Sequence, residues 1–273
     1  MRKTRSWVRA SILIILTVSL AVRSLYAHDY WLEADRGKMK VGDKATIRLM
    51  FGENFAGGTE KPLQEKRTAT FRVYGPSRKF GNLLPPKSAG GKPAALIEMV
   101  QEGSVLVTME RTAALIRFGR PKFLEYAAQE GEIIGEQELP PAKKDVQETY
   151  ARYLKTILNV GDSAGKSATR RTGLRYEIVP KANPYQPGLT ILPCKLYFDG
   201  KAASGQKVTA IHRENGRLTG TTVLTDSKGN CAFPLAQTGS WLIRSVNLMP
   251  GSEVAGPQAN YQSYWASLTF RYD

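Results

Sequence analysis

Only two histidines occur in this chain of 273 residues, and one of them, His28, lies directly behind a segment built like a cleavable export signal. A cut after Ala27 makes His28 a free N-terminus carrying an α-amine and an imidazole, two metal-binding nitrogens on one residue. Nickel, cobalt and copper all accept such donors, and amine and Nδ1 can close a chelate ring on one ion. A tight site needs more donors. The metal ligands expected from the sequence are therefore His28, its neighbour Asp29 and the other histidine, His212, with Glu33, Asp35 and Met50 as further local donors. His212 follows Val208 and Ala210 in strand alternation, a pattern that also suits a core-facing ring satisfied by a hydrogen bond.

Other chemistries lack residues. Two histidines leave little room for a Ser-His-Asp or Cys-His nucleophile, and both cysteines, Cys194 and Cys231, fall on the apolar side of their strands. No glycine-rich motif follows a strand and opens a helix, and no motif singles out a pair among the 24 acids. The expectation is a binding protein rather than an enzyme. A copper-dependent polysaccharide oxidase also uses an N-terminal histidine but needs a second imidazole across the metal.

Arg2, Lys3, Arg5 and Arg9 precede an apolar run from Ser11 to Val22 that is too short to span a bilayer. Residues 1–27 thus read as a signal peptide and the mature chain as periplasmic or secreted, with no transmembrane segment. Ser19 and Ala21 fit a small-x-small cleavage rule better than Leu25 and Ala27 do, but a cut after Ala21 would interrupt the hydrophobic run. Losing residues 1–27 removes five basic residues and no acids, so the formal charge falls from +15 to +10. The remaining Lys and Arg are interleaved with acids and lack a series of stacking aromatics, which argues against nucleic acid as a partner.

The elements that would position these residues are mostly strands. Lys44 to Met50, Thr68 to Tyr74 and Ser104 to Met109 alternate polar and apolar residues between Gly, Pro or Lys boundaries, and Gly81 to Pro93 reads as a loop. Residues 28–160 are expected to form an N-terminal β domain with a helical segment at 121–160. Within it Pro121 opens one helix that Gly131 stops, and Asp145 caps a second, whose stripe of Val146, Tyr150, Tyr153, Leu154, Ile157 and Leu158 recurs at helical spacing. Residues 161–172 are polar and unperiodic and suit a linker or loop. Residues 173–273 then hold seven short strands separated by turns such as Asp199-Gly200 and Asn215-Gly216, the pattern of an Ig-like β-sandwich. Mainly β, with two antiparallel β-sandwich-like domains and a small helical insertion between them, is the expected fold class. Cys194 and Cys231 can form a bridge if their strands are neighbours, or serve as two buried thiols.

Four segments carry a family resemblance: His28-Asp29-Tyr30-Trp31-Leu32-Glu33, Tyr150 to Lys155, Glu177 to Tyr185 and Trp265 to Phe270. In order along the mature chain they resemble the exported family called domain of unknown function 4198. The resemblance implies a periplasmic protein associated with nickel or cobalt uptake, a membrane metal transporter as partner, and a C-terminal part similar to carboxypeptidase-regulatory-like and Cna B-type sandwiches. Relatives often carry a histidine after the Trp-Leu strand, where this chain has Asn247. A non-catalytic carbohydrate-binding or adhesion module is the alternative function, resting on the sandwich and on Tyr185, Tyr261 and Tyr264 as surface aromatics.

Overall fold

The computed structural model describes residues 29–273, apart from 78–79, 86–88, 142–143, 164 and 252–258. The expected signal segment and His28 lie outside the described residues. Strands dominate. The first eight are β1 (Asp29–Ala34), β2 (Lys38–Met39), β3 (Lys44–Glu53), β4 (Ala56–Lys61), β5 (Thr68–Tyr74), β6 (Phe80–Asn82), β7 (Ala95–Glu98) and β8 (Gly103–Phe118). Helix α1 (Arg120–Glu130) and β9 (Val146–Val160) follow. The remainder are β10 (Tyr176–Pro180), β11 (Ile191–Phe198), β12 (Lys201–Ala202), β13 (Lys207–Glu214), β14 (Arg217–Leu224), β15 (Asn230–Pro234), β16 (Ser240–Pro250) and β17 (Tyr261–Arg271). No helix among the described residues is long and apolar enough to cross a membrane.

The strands stack in three layers. The middle layer runs β14-β13-β16-β17-β9-β8-β5-β6, with β2 added on β9. Alternation along each of its strands sends odd and even residues to opposite faces. On one face Val105, Val107, Met109, Leu154 and Leu158 bury against Leu32, Ile47 and Leu49 of the sheet β1-β3-β4, to which β7 pairs. On the other, Leu106, Ile157, Val208, Ala210 and Leu268 bury against Ile178, Leu192, Leu196 and Phe233 of the sheet β10-β11-β12, to which β15 pairs. The middle sheet is continuous across the expected linker, because β17 pairs in parallel with β9, from Tyr261 opposite Glu148 to Thr269 opposite Thr156. The described residues of 161–172 form no regular element, yet Ser167 and Ala168 are buried, and the Ser167 hydroxyl donates to the Gly75 carbonyl.

One expectation is overturned. The segment from Asp145 to Leu158 is not a helix: Val146 to Val160 form β9 at the centre of the middle sheet. From Tyr153 onward every residue is buried, because β9 has a layer packed on each face. Apolar residues at both parities then mimic helical spacing, whereas the Val, Ile, Thr and Tyr content suits a strand. The first helix does form; Pro121 lies in its first turn, and Gly131 ends it at φ 97°, a left-handed conformation that glycine adopts without a Cβ penalty. All seven C-terminal strands are present, and Asn215-Gly216, with φ of 49° and 77°, makes the two-residue turn between β13 and β14. Cys194 and Cys231 stand directly opposite each other on β11 and β15, as free thiols.

Candidate functional site

β1 is short, but it is fastened at several points. The Ser267 hydroxyl of β17 donates to the Tyr30 carbonyl at 3.2 Å, and the Thr269 hydroxyl donates to the Leu32 carbonyl at 2.5 Å. Trp31 is fully buried against Phe55, Ile211 and Leu242, and its indole N–H donates to Glu33 Oε2 at 2.8 Å. Glu33 in turn accepts from Arg213 Nη2 at 3.0 Å, whose guanidinium lies over the Phe55 ring.

Asp29, the first described residue, is buried and ion-paired with Arg244 Nε at 2.9 Å. The same guanidinium holds Glu130, the last residue of α1, through a 2.5 Å bond from Nη2 to Oε1. One cation thus locks the start of β1, the end of α1 and β16 together. Burial works against the Arg244 charge, but Asp29 and Glu130 outweigh it and hold the guanidinium above its usual range. Burial pushes the Asp29 carboxyl up, and Arg244 opposes the shift.

Among the described donors, Asp29 and His212 are therefore placed apart. Asp29 belongs to the layer of β1, and its carboxylate is engaged by Arg244. His212 follows Val208 and Ala210 toward the opposite layer, where its ring stacks on Trp241 at 4.5 Å and its Nε2 lies 2.8 Å from the Thr238 carbonyl. Asp35 accepts the Thr46 N–H, and Met50 packs against the Trp31 cluster. Among the described residues no group of three or more His, Cys, Asp or Glu side chains is arranged to hold a metal ion. Of the aromatics that motivated a carbohydrate platform, Tyr261 and Tyr264 are buried, and the half-buried Tyr185 donates its hydroxyl to the Ile157 carbonyl at 3.0 Å.

Three features escaped the sequence reading. Arg244 interrupts the apolar run Trp241-Leu242-Ile243, and a charge inside such a strand signals a buried partner. The second is Glu148 on β9, buried beneath Tyr126, whose hydroxyl donates to Oε1 at 3.3 Å. Ser263 also donates to that oxygen and itself accepts the Trp265 indole N–H at 2.8 Å, while Oε2 has no hydrogen-bond partner among the described residues. Burial pushes the Glu148 carboxyl up to about 7. A folded-state value raised above the unfolded one means that Glu148 stabilises fully below pH 4.5 and loses that contribution as pH rises to about 7. Glu148→Gln is expected to remove this slope. Urea unfolding at pH 5 and pH 8 should show the wild type losing about 2 to 3 kcal/mol relative to the variant, and parallel losses in both would refute it.

The third feature is a cleft of about 830 Å³ beside β1, lined by Tyr30, Leu63, Gln64, Glu65, Lys66, Arg67, Arg111, Tyr150 and Arg152. A neighbouring cavity of about 390 Å³ shares Arg111 and Tyr150 with it. Arg111 and Arg152 stand directly opposite each other on β8 and β9, and the register slips immediately after Arg111, so that Thr112 and Ala113 bulge along the cavity wall.

Three stacked β layers, an N-terminal strand clamped onto the middle sheet and a basic cleft beside it define the class of protein to which the sequence folds. The chain belongs to the family described as domain of unknown function DUF4198, which matches residues 25–247. No curated protein matches it. Among solved structures, it is similar to the chicken interferon gamma receptor alpha chain, crystallised with selenomethionine, at 8% identity over 80% of this chain and 87% of that one. The TM-score is 0.20, a likeness too low to bear on fold.

Proposed function

We propose that this family member is an exported binding protein that captures a divalent transition-metal ion, nickel or cobalt with copper as the third candidate, through the α-amine and imidazole of His28. Cleavage after Ala27 frees the α-amine beside the imidazole of the same residue, and the captured ion passes to a membrane transporter. The observation that carries the reading is the attachment of the next residue: Asp29 is buried, ion-paired to Arg244 and continuous with a strand bonded to β17. A first residue joined to so rigid a strand begins from a fixed point, which lowers the entropic cost of ordering it around an ion. Asp29 contributes through that anchorage, because its carboxylate is taken by Arg244. His212, on the far side of the middle sheet, is a structural ring.

Titration of the exported protein with nickel, cobalt and copper tests this reading. His28→Ala is expected to weaken binding at least about tenfold, as loss of a ligand should cost no less than loss of the groups that orient one. An extra alanine ahead of His28, which displaces the α-amine from the imidazole, should do the same, while His212→Ala leaves affinity unchanged. Equal affinity in the wild type and both His28-directed variants rejects the proposal.

A further inference from the structure

Among the described residues, the middle sheet ends on an uncovered strand. β14 is its outermost member and pairs only with β13, and seven of its eight residues are exposed. The Thr225 N–H donates to the Gln206 carbonyl at 2.9 Å, and hydrogen-bonded positions alternate along an antiparallel ladder. Arg217, Thr219, Thr221 and Val223 therefore bond inward to β13, while Leu218, Gly220, Thr222 and Leu224 turn their N–H and C=O groups outward. None of these four makes another backbone hydrogen bond among the described residues.

Proteins ordinarily blunt such an edge with proline, lysine, a bulge or an inward charge. β14 has none of these: its one charge, Arg217, sits at the hairpin end, and its pairing with β13 runs to Leu224 without a register shift. Gly220 lies in mid-strand, where a Cβ would meet only the Ala210 carbonyl at 3.8 Å, so crowding within the chain does not require glycine there. Glycine inside a strand often marks the close approach of another backbone.

The strand is also its own complement. Leu218, Thr222 and Leu224 share one face, and the two leucines are 37% and 68% exposed. An antiparallel second copy centred on Thr221 sets Leu218 of each copy opposite Leu224 of the other, and Gly220 opposite Thr222. All the outward backbone groups are then used, in four hydrogen-bonded pairs. Arg217 stands opposite Thr225, so no like charges face each other. The cations beside the leucines on β13 are engaged within the chain, Arg213 by Glu33 and Lys207 by the Gln129 carbonyl.

We propose that β14 is the contact strand of a symmetric dimer, in which two middle sheets join edge to edge through antiparallel β14 pairing centred on Thr221. The strand is distinct from His28, so the dimer stands or falls independently of metal capture.

Sedimentation equilibrium of the exported protein at concentrations up to about 300 μM tests this, with a reversible monomer–dimer equilibrium as the expected result. Leu218→Lys combined with Leu224→Lys sets like charges opposite each other in both leucine pairs and should weaken the dimer at least about tenfold. Leu218→Lys combined with Leu224→Glu sets opposite charges in the same pairs and should keep the dimer within about threefold of the wild type. Gly220→Pro removes an outward N–H and no bond to β13. It should weaken the dimer at least about tenfold, and it covers the case in which the charged variants fail to fold. A monomer at every concentration, or a wild-type dimer that the Lys/Lys variant and Gly220→Pro leave unchanged, overturns the proposal. So does a Lys/Glu variant that dissociates as readily as the Lys/Lys one.

Discussion

Arg244→Met is expected to destabilise the folded protein by about 3 to 5 kcal/mol, the range for removing one partner from a buried ionic cluster. The side chain is 11% exposed, and it neutralises two carboxylates, Asp29 and Glu130, each of which is 6% exposed. Methionine fills much of the volume but removes the guanidinium that both buried acids share, and Asp29 Oδ2 already lacks a hydrogen-bond partner among the described residues. Without Arg244 the Asp29 carboxyl, which burial already pushes up, loses the charge that opposes the shift and rises further above its unfolded value. The variant's deficit is then smallest at low pH and grows as pH rises through the raised Asp29 value. Urea unfolding at pH 5 and pH 8 measures the effect: the deficit relative to the wild type should be larger at pH 8. A deficit below about 1 kcal/mol at both values would place the cluster in the class of solvent-screened pairs and contradict the anchoring of β1.

The second large effect concerns the opposite face of the middle sheet. Lys155 on β9 is fully enclosed, and its ammonium donates to Glu177 Oε1 at 2.9 Å and to the Ile178 carbonyl at 3.0 Å. Glu177 also accepts from the Thr172 N–H and hydroxyl and from the Gly173 N–H, so the pair ties β9 to β10 and to the irregular stretch between them. Burial works against the Glu177 charge, but Lys155 and the Thr172 donors outweigh it and hold the carboxyl below its usual range. Lys155→Met should cost about 3 to 5 kcal/mol by leaving that carboxylate unpaired in the interior. Adding Glu177→Gln should recover a large part of the loss, since the amide oxygen still accepts from Thr172 and carries no charge. Strict additivity of the two losses in a double-mutant cycle would show that the residues act separately.

These interactions mark where sequence reading ran out. Alternation found the strands wherever one face was polar, and Asn215-Gly216, Pro121 and Gly131 marked a turn and both ends of α1. β9 was misread because it is sandwiched between two layers, and burial on both faces erases the period of two. Of the proposed metal site the sequence offers His28, which lies outside the described residues. Asp29 looked like a metal donor because its partner, Arg244, lies over two hundred residues away. The opposition of Arg111 and Arg152 depends on the register of β8 and β9, which cannot be read while β9 is taken for a helix. His212 was the exception: its position after Val208 and Ala210 already suggested a packed ring, and it stacks on Trp241.

The most direct test of His28 as the ligand anchor is native mass spectrometry of the exported chain loaded with nickel, cobalt or copper. The expected spectrum shows a polypeptide beginning at His28 that carries one metal ion, and a His28→Ala chain processed at the same bond that carries none. A chain beginning elsewhere, or a His28→Ala chain that retains the ion at the same loading, would contradict the assignment.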